Sequence, residues 1–178
     1  MGGKQLSPAC YRKLLIKGRY NISATCGKLF RRTLFDEYTL RTPREIVMGE
    51  DMLMNLRLAF ASSKPVRLVG GNSVYNYIQH GGNITHVFKL TADYEYVFHE
   101  ERLLSIPEEE HARYMPVMIY RRLRMLRRIL RCAQKDNTVE ELRTSAFVKE
   151  LLADIHATRY TFWRYPHLEA LAISRKCG

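Results

Sequence analysis

The central part of the chain carries one clear amphipathic pattern. Its apolar residues recur at intervals of three and four positions, and these residues are Met52, Leu53, Leu56, Ala59 and Phe60. This spacing places an apolar stripe along one side of a helix and predicts that the stripe is buried. We expect the helix to begin near Glu50, just before the apolar spacing starts. It should end just before Pro65, because proline cannot continue a helix.

Shorter patterns surround this helix in the first half of the chain. Helical spacing of apolar residues predicts two more helices, at residues 8–18 and 26–35, and a loop at residues 36–49 then leads into the central helix. Alternating apolar and polar residues predict three short strands, at residues 21–25, 66–69 and 74–78. We therefore expect a small mixed sheet with helices.

From residue 88 onward the pattern is almost wholly helical. Helices are predicted at residues 91–105, 108–134, 139–156 and 160–174. The 178 residues thus divide into a first domain at 1–87 and a helical tail at 88–178. The predicted fold class is a mostly α form of α/β, in which a partial mixed sheet with helices is followed by an all-α tail.

Two adjacent carboxylates, Glu50 and Asp51, stand where the loop becomes the central helix. At such a junction a carboxylate is held by free backbone N–H groups and by the positive end of the helix dipole, so it stays ionised and fixed in direction. This description suits a general base, and it suits a simple helix cap equally well. The spacing by itself favours the cap.

The charge balance restricts the partners of the protein. The formal net charge is +11 and the isoelectric point is near 9.7, which indicates that the protein lies close to phosphate, nucleic acid or an anionic membrane surface. The four cysteines are scattered without a C-x-x-C pair, so we expect reduced thiols in the cytoplasm. No apolar run reaches the about 18 residues that a spanning helix needs.

The predicted helix at 108–134 has an unusual distribution of charge. No acid occurs between Ala112 and Lys135. Apolar residues line one face, and the opposite face carries Arg113, Arg121, Arg124, Arg127, Arg128 and Arg131. Arg122 alone falls nearer the apolar side. Two interpretations stand side by side: residues 113–131 lie on an anionic membrane surface, or the apolar face packs on the other tail helices and the arginines are solvated.

Several motifs of the first domain occur in a fixed order. They are Gly27-Lys28-Leu29-Phe30-Arg31-Arg32, Gly49-Glu50-Asp51 with the helix that follows, Pro65-Val66-Arg67-Leu68-Val69, Tyr75-Asn76-Tyr77, and Asn83-Ile84-Thr85. In this order they resemble the carboxy-terminal half of bacterial family 2 glycosyltransferases, which have the GT-A fold. The resemblance covers residues 14–85, and the helical remainder resembles the variable tails of such enzymes.

The resemblance implies an inverting transfer of a sugar from a nucleotide-sugar donor to a hydroxyl of a saccharide or lipid-linked acceptor. It identifies Asp51 as the catalytic base and Glu50 as a supporting carboxylate, and with it we favour the base over the cap. Lys28 and Arg44 are candidates for binding acceptor or phosphate, and His86 for the donor side. A basic residue on a solvated face, or a histidine in a polar loop, also occurs without a function.

One departure from the family pattern is as informative as the match. The resemblance implies a preceding nucleotide-binding half that ends in a D-x-D motif for Mg²⁺ or Mn²⁺, and this sequence contains no D-x-D. We therefore expect the acceptor and base portion of a cytoplasmic glycosyltransferase, peripheral to the inner face of the membrane. In this chain alone we expect no cofactor, no transfer, and at best about millimolar affinity for nucleotide sugars.

Two other functions are weighed against this expectation. The alternative is a membrane-peripheral or scaffolding helical module that retains a degenerate transferase core. A nucleic-acid binder is the least favoured, because the basic residues are concentrated on one helix and are not interleaved with aromatic residues.

Overall fold

The protein is described by a computed structural model that covers residues 4–18, 23–69 and 88–158. The fold is mostly α, with one small antiparallel sheet among the described residues. The strands are β1 (Lys4–Leu6) and β2 (Val66–Leu68). The helices are α1 (Pro8–Ile16), α2 (Glu37–Leu40), α3 (Glu50–Ala61), α4 (Ala92–Leu104), α5 (His111–Asp136), α6 (Val139–Thr144) and α7 (Ala146–Ala157).

The mostly α form of α/β is therefore confirmed as the fold class, and the helix at residue 50 begins where the sequence predicts it.

Contacts divide the chain into two compact units. The first comprises Met1–Lys89 and Glu101–Glu108, and the second comprises Leu90–Glu100 and Glu109–Gly178. The division passes through α4. The assignment of residues 1–87 to a catalytic portion and of 88–178 to a tail stays a prediction.

In the first unit, α1 and α2 both pack on α3. The apolar stripe of α3 is buried as its spacing predicts, with Met52, Leu53 and Leu56 almost fully removed from solvent. Arg12 of α1 donates through Nε to the Ala59 carbonyl (3.0 Å), at the carboxy-terminal end of α3. A helix end has carbonyls without partners inside the helix, so this guanidinium fixes α1 against α3.

The sheet of the first unit differs from the predicted one. The strand predicted at 66–69 is present as β2, but it pairs with β1, in the antiparallel register Lys4 with Leu68 and Leu6 with Val66. The sequence predicts no strand at residues 4–6, where β1 lies. The strand predicted at 74–78 lies outside the described residues, as do the helix at 160–174 and His86.

The strand predicted at 21–25 and the helix predicted at 26–35 are both wrong, as far as their residues are described. Residues 23–25 form no strand, because Ser23 and Thr25 bond to side chains of α3 and have no neighbouring strand. The helix predicted at 26–35 is reduced to a 3₁₀ turn at Arg32–Leu34. Leu29, which the prediction buries, is fully exposed. Gly27 lies in a turn and has a φ of 70°, a left-handed conformation that glycine adopts without strain and that does not continue a helix.

In the second unit, α5 packs on α6 and α7. Ile119, Leu123, Leu126 and Ile129 of α5 form one core with apolar residues of α6 and α7 such as Phe147. The predicted helix at 139–156 is broken at Ser145, whose hydroxyl caps α7 by accepting from the Val148 N–H (3.4 Å). The apolar face of α5 is therefore occupied by its own neighbours in this unit.

Candidate functional site

The candidate site of the first unit begins at the amino terminus of α3. Gly49 is the N-cap of this helix and has a φ of 92°, a left-handed conformation that glycine adopts without strain. Its carbonyl accepts from the N–H of Met52 (2.9 Å) and of Leu53 (3.3 Å), which closes the first turn. Glu50 and Asp51 follow directly and so lie in that turn, at the start of the helix.

The Asp51 carboxylate is held from outside its own helix. One oxygen accepts from Thr25 Oγ1 (2.9 Å) and the other lies 3.5 Å from the Thr25 backbone nitrogen. The cap of the helix is Gly49, which has no side chain, so Asp51 is not the capping residue. Its position in the first turn still keeps it near the positive end of the helix dipole, which favours the ionised form.

Asn55 holds the same segment one turn further along α3. Its Nδ2 donates to the Ser23 carbonyl (2.6 Å), and the residue is fully buried. Its Oδ1 is also buried, and no described residue donates a hydrogen bond to it. Asp51 and Asn55 are four residues apart, so they share one face of α3, and together they fix the course of residues 23–25.

Lys28 places a positive charge near the Asp51 carboxylate. Its Nζ is buried and makes no hydrogen bond with any described residue. Desolvation lowers the pKa of Lys28, while the negative charges of Asp51 and of Cys26 oppose that shift. Two of the side chains that the sequence singles out, Asp51 and Lys28, therefore lie near each other.

The structure does not bring the other candidates into this group. Glu50 and Arg44 are both exposed, and none of the contacts between described residues joins either of them to Asp51. His86 lies outside the described residues. Their assignments stay predictions that rest on the resemblance alone.

A second polar cluster, which the sequence analysis did not predict, is buried in the second unit. Arg122 and His99 are both fully buried. Arg122 Nη1 lies 3.0 Å from His99 Nε2 and donates to Asp154, while Nη2 lies 3.5 Å from a Glu150 oxygen. The available signals were the position of Arg122 on the apolar side of α5 and the pair of acids four residues apart on α7.

The chemistry of this cluster is that of a buried ion pair. A guanidinium only donates hydrogen bonds, so in this contact Arg122 is the donor and His99 Nε2 the acceptor. His99 Nε2 lies 3.9 Å from one oxygen of Glu150 and of Asp154, a spacing at which these three residues could hold a metal ion. The guanidinium of Arg122 already contacts all three residues and provides the positive charge there. The geometry therefore favours a structural role for the cluster over metal binding.

Arginines of α5 form the third charged feature. Arg124, Arg128 and Arg131 are exposed, whereas Arg122 is buried, as its place nearer the apolar side suggests. The apolar face packs within the second unit, as the second of the two interpretations has it, whereas an anionic membrane partner for residues 113–131 stays a prediction. Among the described helices, none has the length and apolar character needed to cross a membrane.

Comparisons with family models, with curated proteins and with solved structures give no match to this chain. The function is therefore argued from the residues, their geometry and the motifs of the first domain.

Proposed function

We propose that this chain provides the acceptor side and the catalytic base of an inverting glycosyltransferase of the GT-A type. The observation that carries the proposal is the Asp51 carboxylate. It stands at the start of α3, is oriented by Thr25, and has the Lys28 ammonium nearby. A fixed, partly exposed carboxylate at a helix amino terminus is the arrangement that a general base requires.

The proposed reaction is a single displacement. Asp51 accepts the proton of an acceptor hydroxyl while that oxygen forms a bond to the anomeric carbon of the donor sugar. The bond from that carbon to the nucleotide diphosphate breaks, and the diphosphate leaves with the bonding electrons. Attack from the face opposite the leaving group inverts the anomeric configuration. Thr25 keeps one carboxylate oxygen in a fixed direction during this step.

Lys28 has a separate role in the proposal. Its ammonium, which is buried and donates no hydrogen bond to a described residue, is proposed to bind an anionic part of a substrate beside the base once the substrate displaces the side chains that cover it. The sequence assigns the same kind of role to Arg44, and His86 is proposed on the donor side. Glu50, exposed beside Asp51, is proposed to contact the acceptor saccharide or the head of a lipid-linked acceptor.

The divalent ion that the resemblance implies does not fit at Asp51. The ammonium of Lys28 lies close to this carboxylate, and the group of possible metal ligands found among the described residues, His99 with Glu150 and Asp154, does not include Asp51. In the proposed enzyme, Mg²⁺ or Mn²⁺ belongs to a D-x-D pair, which this sequence does not contain. No step of the reaction at Asp51 is routed through a metal.

The proposed location is the cytoplasm, at the inner face of the cell membrane. Free cysteines support this part of the proposal, since Cys10, Cys26 and Cys132 are exposed thiols and suit a reducing compartment. The donor is an anionic nucleotide sugar, and the high positive charge of the chain favours its approach.

The test compares two substitutions of Asp51 in the protein as its gene encodes it. Asp51→Asn keeps the size and the acceptor oxygen for Thr25 but removes the proton acceptor, so turnover of a nucleotide sugar falls by about 10² to 10⁴. Asp51→Ala adds a loss of stability of about 1 to 2 kcal/mol, because it also removes the partner of Thr25. Transfer is followed by release of the nucleotide diphosphate, and stability by urea unfolding.

Asp36→Asn is the matched control for this test. Asp36 is also a carboxylate at a helix amino terminus, where it caps α2 by accepting from the Thr39 N–H (2.7 Å). Because asparagine caps about as well as aspartate, this variant retains turnover and stability. An Asp51→Asn enzyme that is as active as the Asp36→Asn enzyme would end the assignment of Asp51 as the base.

A further inference from the structure

A straight row of cations runs along the solvent side of α5. Its members follow one another at intervals of three or four residues and are Arg124, Arg128, Arg131 and Lys135. All four side chains are exposed. At a rise of about 1.5 Å per residue, the row extends for roughly 16 Å along one side of the helix. We refer to these four residues as the basic row.

The basic row is not neutralised within the described structure. None of its members forms an ion pair with a described acid, and the sequence from Ala112 to Lys135 contains no Asp or Glu. The described residues of the second unit nevertheless hold as many acids as Lys and Arg together. The positive charge is therefore concentrated on α5 and is not a general property of this unit.

Neighbouring cations repel one another along this helix. Desolvation is the main reason why the pKa of Arg121 is lowered, and Glu95 opposes that shift. The charges of Arg124 and Arg128 lower the same pKa further, so these guanidiniums are close enough to interact. Like charges four residues apart destabilise a helix, and an anionic surface relieves that repulsion.

The apolar face of α5 cannot take part in docking, because it is already buried against α6 and α7. Whatever binds the basic row therefore meets charge and little apolar surface. This differs from an amphipathic helix that inserts its apolar face between lipids.

We propose that the basic row docks the second unit on a surface of anionic lipid headgroups, by electrostatic attraction and without insertion. A membrane presents negative headgroups over a plane, so one straight row of cations engages them together. A duplex is less well matched, because its phosphates follow a curved path and readers of single strands add exposed aromatic rings. Tyr120, the aromatic residue beside the row, has its ring contacted by the Arg124 guanidinium (5.9 Å). This proposal is independent of the transferase activity.

The test is co-sedimentation of the whole chain with vesicles of phosphatidylglycerol and phosphatidylcholine, compared with phosphatidylcholine alone, at about 0.1 M salt. Each cation near such a surface contributes about fivefold to binding, so Arg128→Gln with Arg131→Gln weakens binding about 30-fold. Raising the salt to about 1 M releases the wild-type chain, since screening removes an attraction that has no inserted apolar part.

A double variant of equal net charge provides the control. Lys13 and Lys149 are exposed cations on α1 and α7, and Lys13→Gln with Lys149→Gln removes two charges outside the row. We expect this control to lose less than about threefold in binding, because its charges lie away from the row. Far-ultraviolet circular dichroism and melting temperature establish that both variants fold.

Three results would overturn the proposal. The first is equal binding to neutral and anionic vesicles, and the second is an equal loss in both double variants. The third is tighter binding to a DNA duplex than to anionic vesicles at the same salt, with the same dependence on Arg128 and Arg131, which would assign the basic row to nucleic acid.

Discussion

Thr25 donates a 2.9 Å hydrogen bond from its hydroxyl to the carboxylate of Asp51, a residue 26 positions further along the chain. This bond decides the local structure on both sides. It ties the carboxylate to a segment outside its own helix, in which Ala24 and Thr25 form a bend in place of a strand. The group proposed as the base is thus oriented by a loop that α3 itself positions.

The first prediction concerns this bond. Thr25→Val keeps the shape of the side chain but removes the hydroxyl donor, so the free energy of unfolding decreases by about 1 to 2 kcal/mol. Thr25→Ser keeps the donor and most of the stability. Thr33→Val is the control at an exposed position of the 3₁₀ turn and changes stability by less than about 0.5 kcal/mol. Urea unfolding distinguishes the three, and equal effects of Thr25→Val and Thr33→Val would contradict the prediction.

The second prediction concerns the buried ammonium of Lys28. The pKa of Lys28 is lowered from 10.5 in the folded state by desolvation. Between the lowered pKa and 10.5 the unfolded chain binds more protons, so this group makes the protein more stable as pH rises through that window. Below the lowered pKa the full desolvation penalty remains.

Lys28→Met removes both the penalty and this dependence on pH. We expect a higher melting temperature than that of the wild type at neutral pH, and a smaller rise in stability toward pH 10.5. Lys13→Met, at an exposed position, is the control and shows neither effect. A Lys28→Met protein that is less stable than the wild type at neutral pH would show that the ammonium has a partner in the folded protein.

The third prediction concerns the buried guanidinium of Arg122. Arg122→Met leaves Glu150 and Asp154 without their cation and His99 without its donor, so the free energy of unfolding falls by about 3 kcal/mol. Arg128→Met on the exposed side of the same helix changes it by less than about 0.5 kcal/mol. Guanidinium chloride unfolding, followed by circular dichroism, measures both values. Similar losses in the two variants would show that the cluster does not depend on its central charge.

The fourth prediction concerns the pH dependence of the same cluster. Desolvation raises the pKa of Glu150 above 4.5, and the charges of Glu100 and Asp154 add to the shift, whereas Arg122 opposes it. Between 4.5 and the raised pKa the folded state binds more protons, so the contribution of this group to stability falls as pH rises through the window.

Glu150→Gln lacks that titration. As pH rises through the window, the melting temperature of the variant minus that of the wild type is expected to increase. Above the raised pKa of Glu150 this difference is expected to become constant. Scanning calorimetry of both proteins in steps from pH 4 to 7 gives the comparison. A constant difference across the series would mean that Glu150 does not titrate differently in the folded and unfolded states.

Local patterns predicted the parts of the fold that depend on neighbouring residues. Gly49 and the three-and-four spacing after it predicted the start of α3, and with it the placement of Asp51 in the first turn. β1 has only Leu6 buried, so three residues with one inward side chain gave no detectable alternation. The site was predictable to the same extent: Asp51 and Lys28 stand near each other, but the residue that orients Asp51 was not found.

What the sequence could not predict depends on distant contacts. A strand is predicted at residues 21–25, yet the Thr25 N–H bonds to Asp51 and the Ser23 carbonyl to Asn55, so side chains of α3 take backbone groups that a neighbouring strand would have used. Arg122 stood out on the apolar side of its helix, but its partners lie 23 and 32 positions away. Periodicity identifies which face a residue occupies and carries no information about what meets it there.

The position of Arg122 also has an evolutionary consequence. A histidine and two carboxylates already converge on its guanidinium, with His99 Nε2 at 3.9 Å from an oxygen of each acid. Loss of that single side chain to a small neutral one would leave three possible ligand atoms within 4.8 Å of one another without the cation that now lies among them. A histidine, a glutamate and an aspartate that now surround a guanidinium thus stand one substitution away from the ligand set of a metal centre.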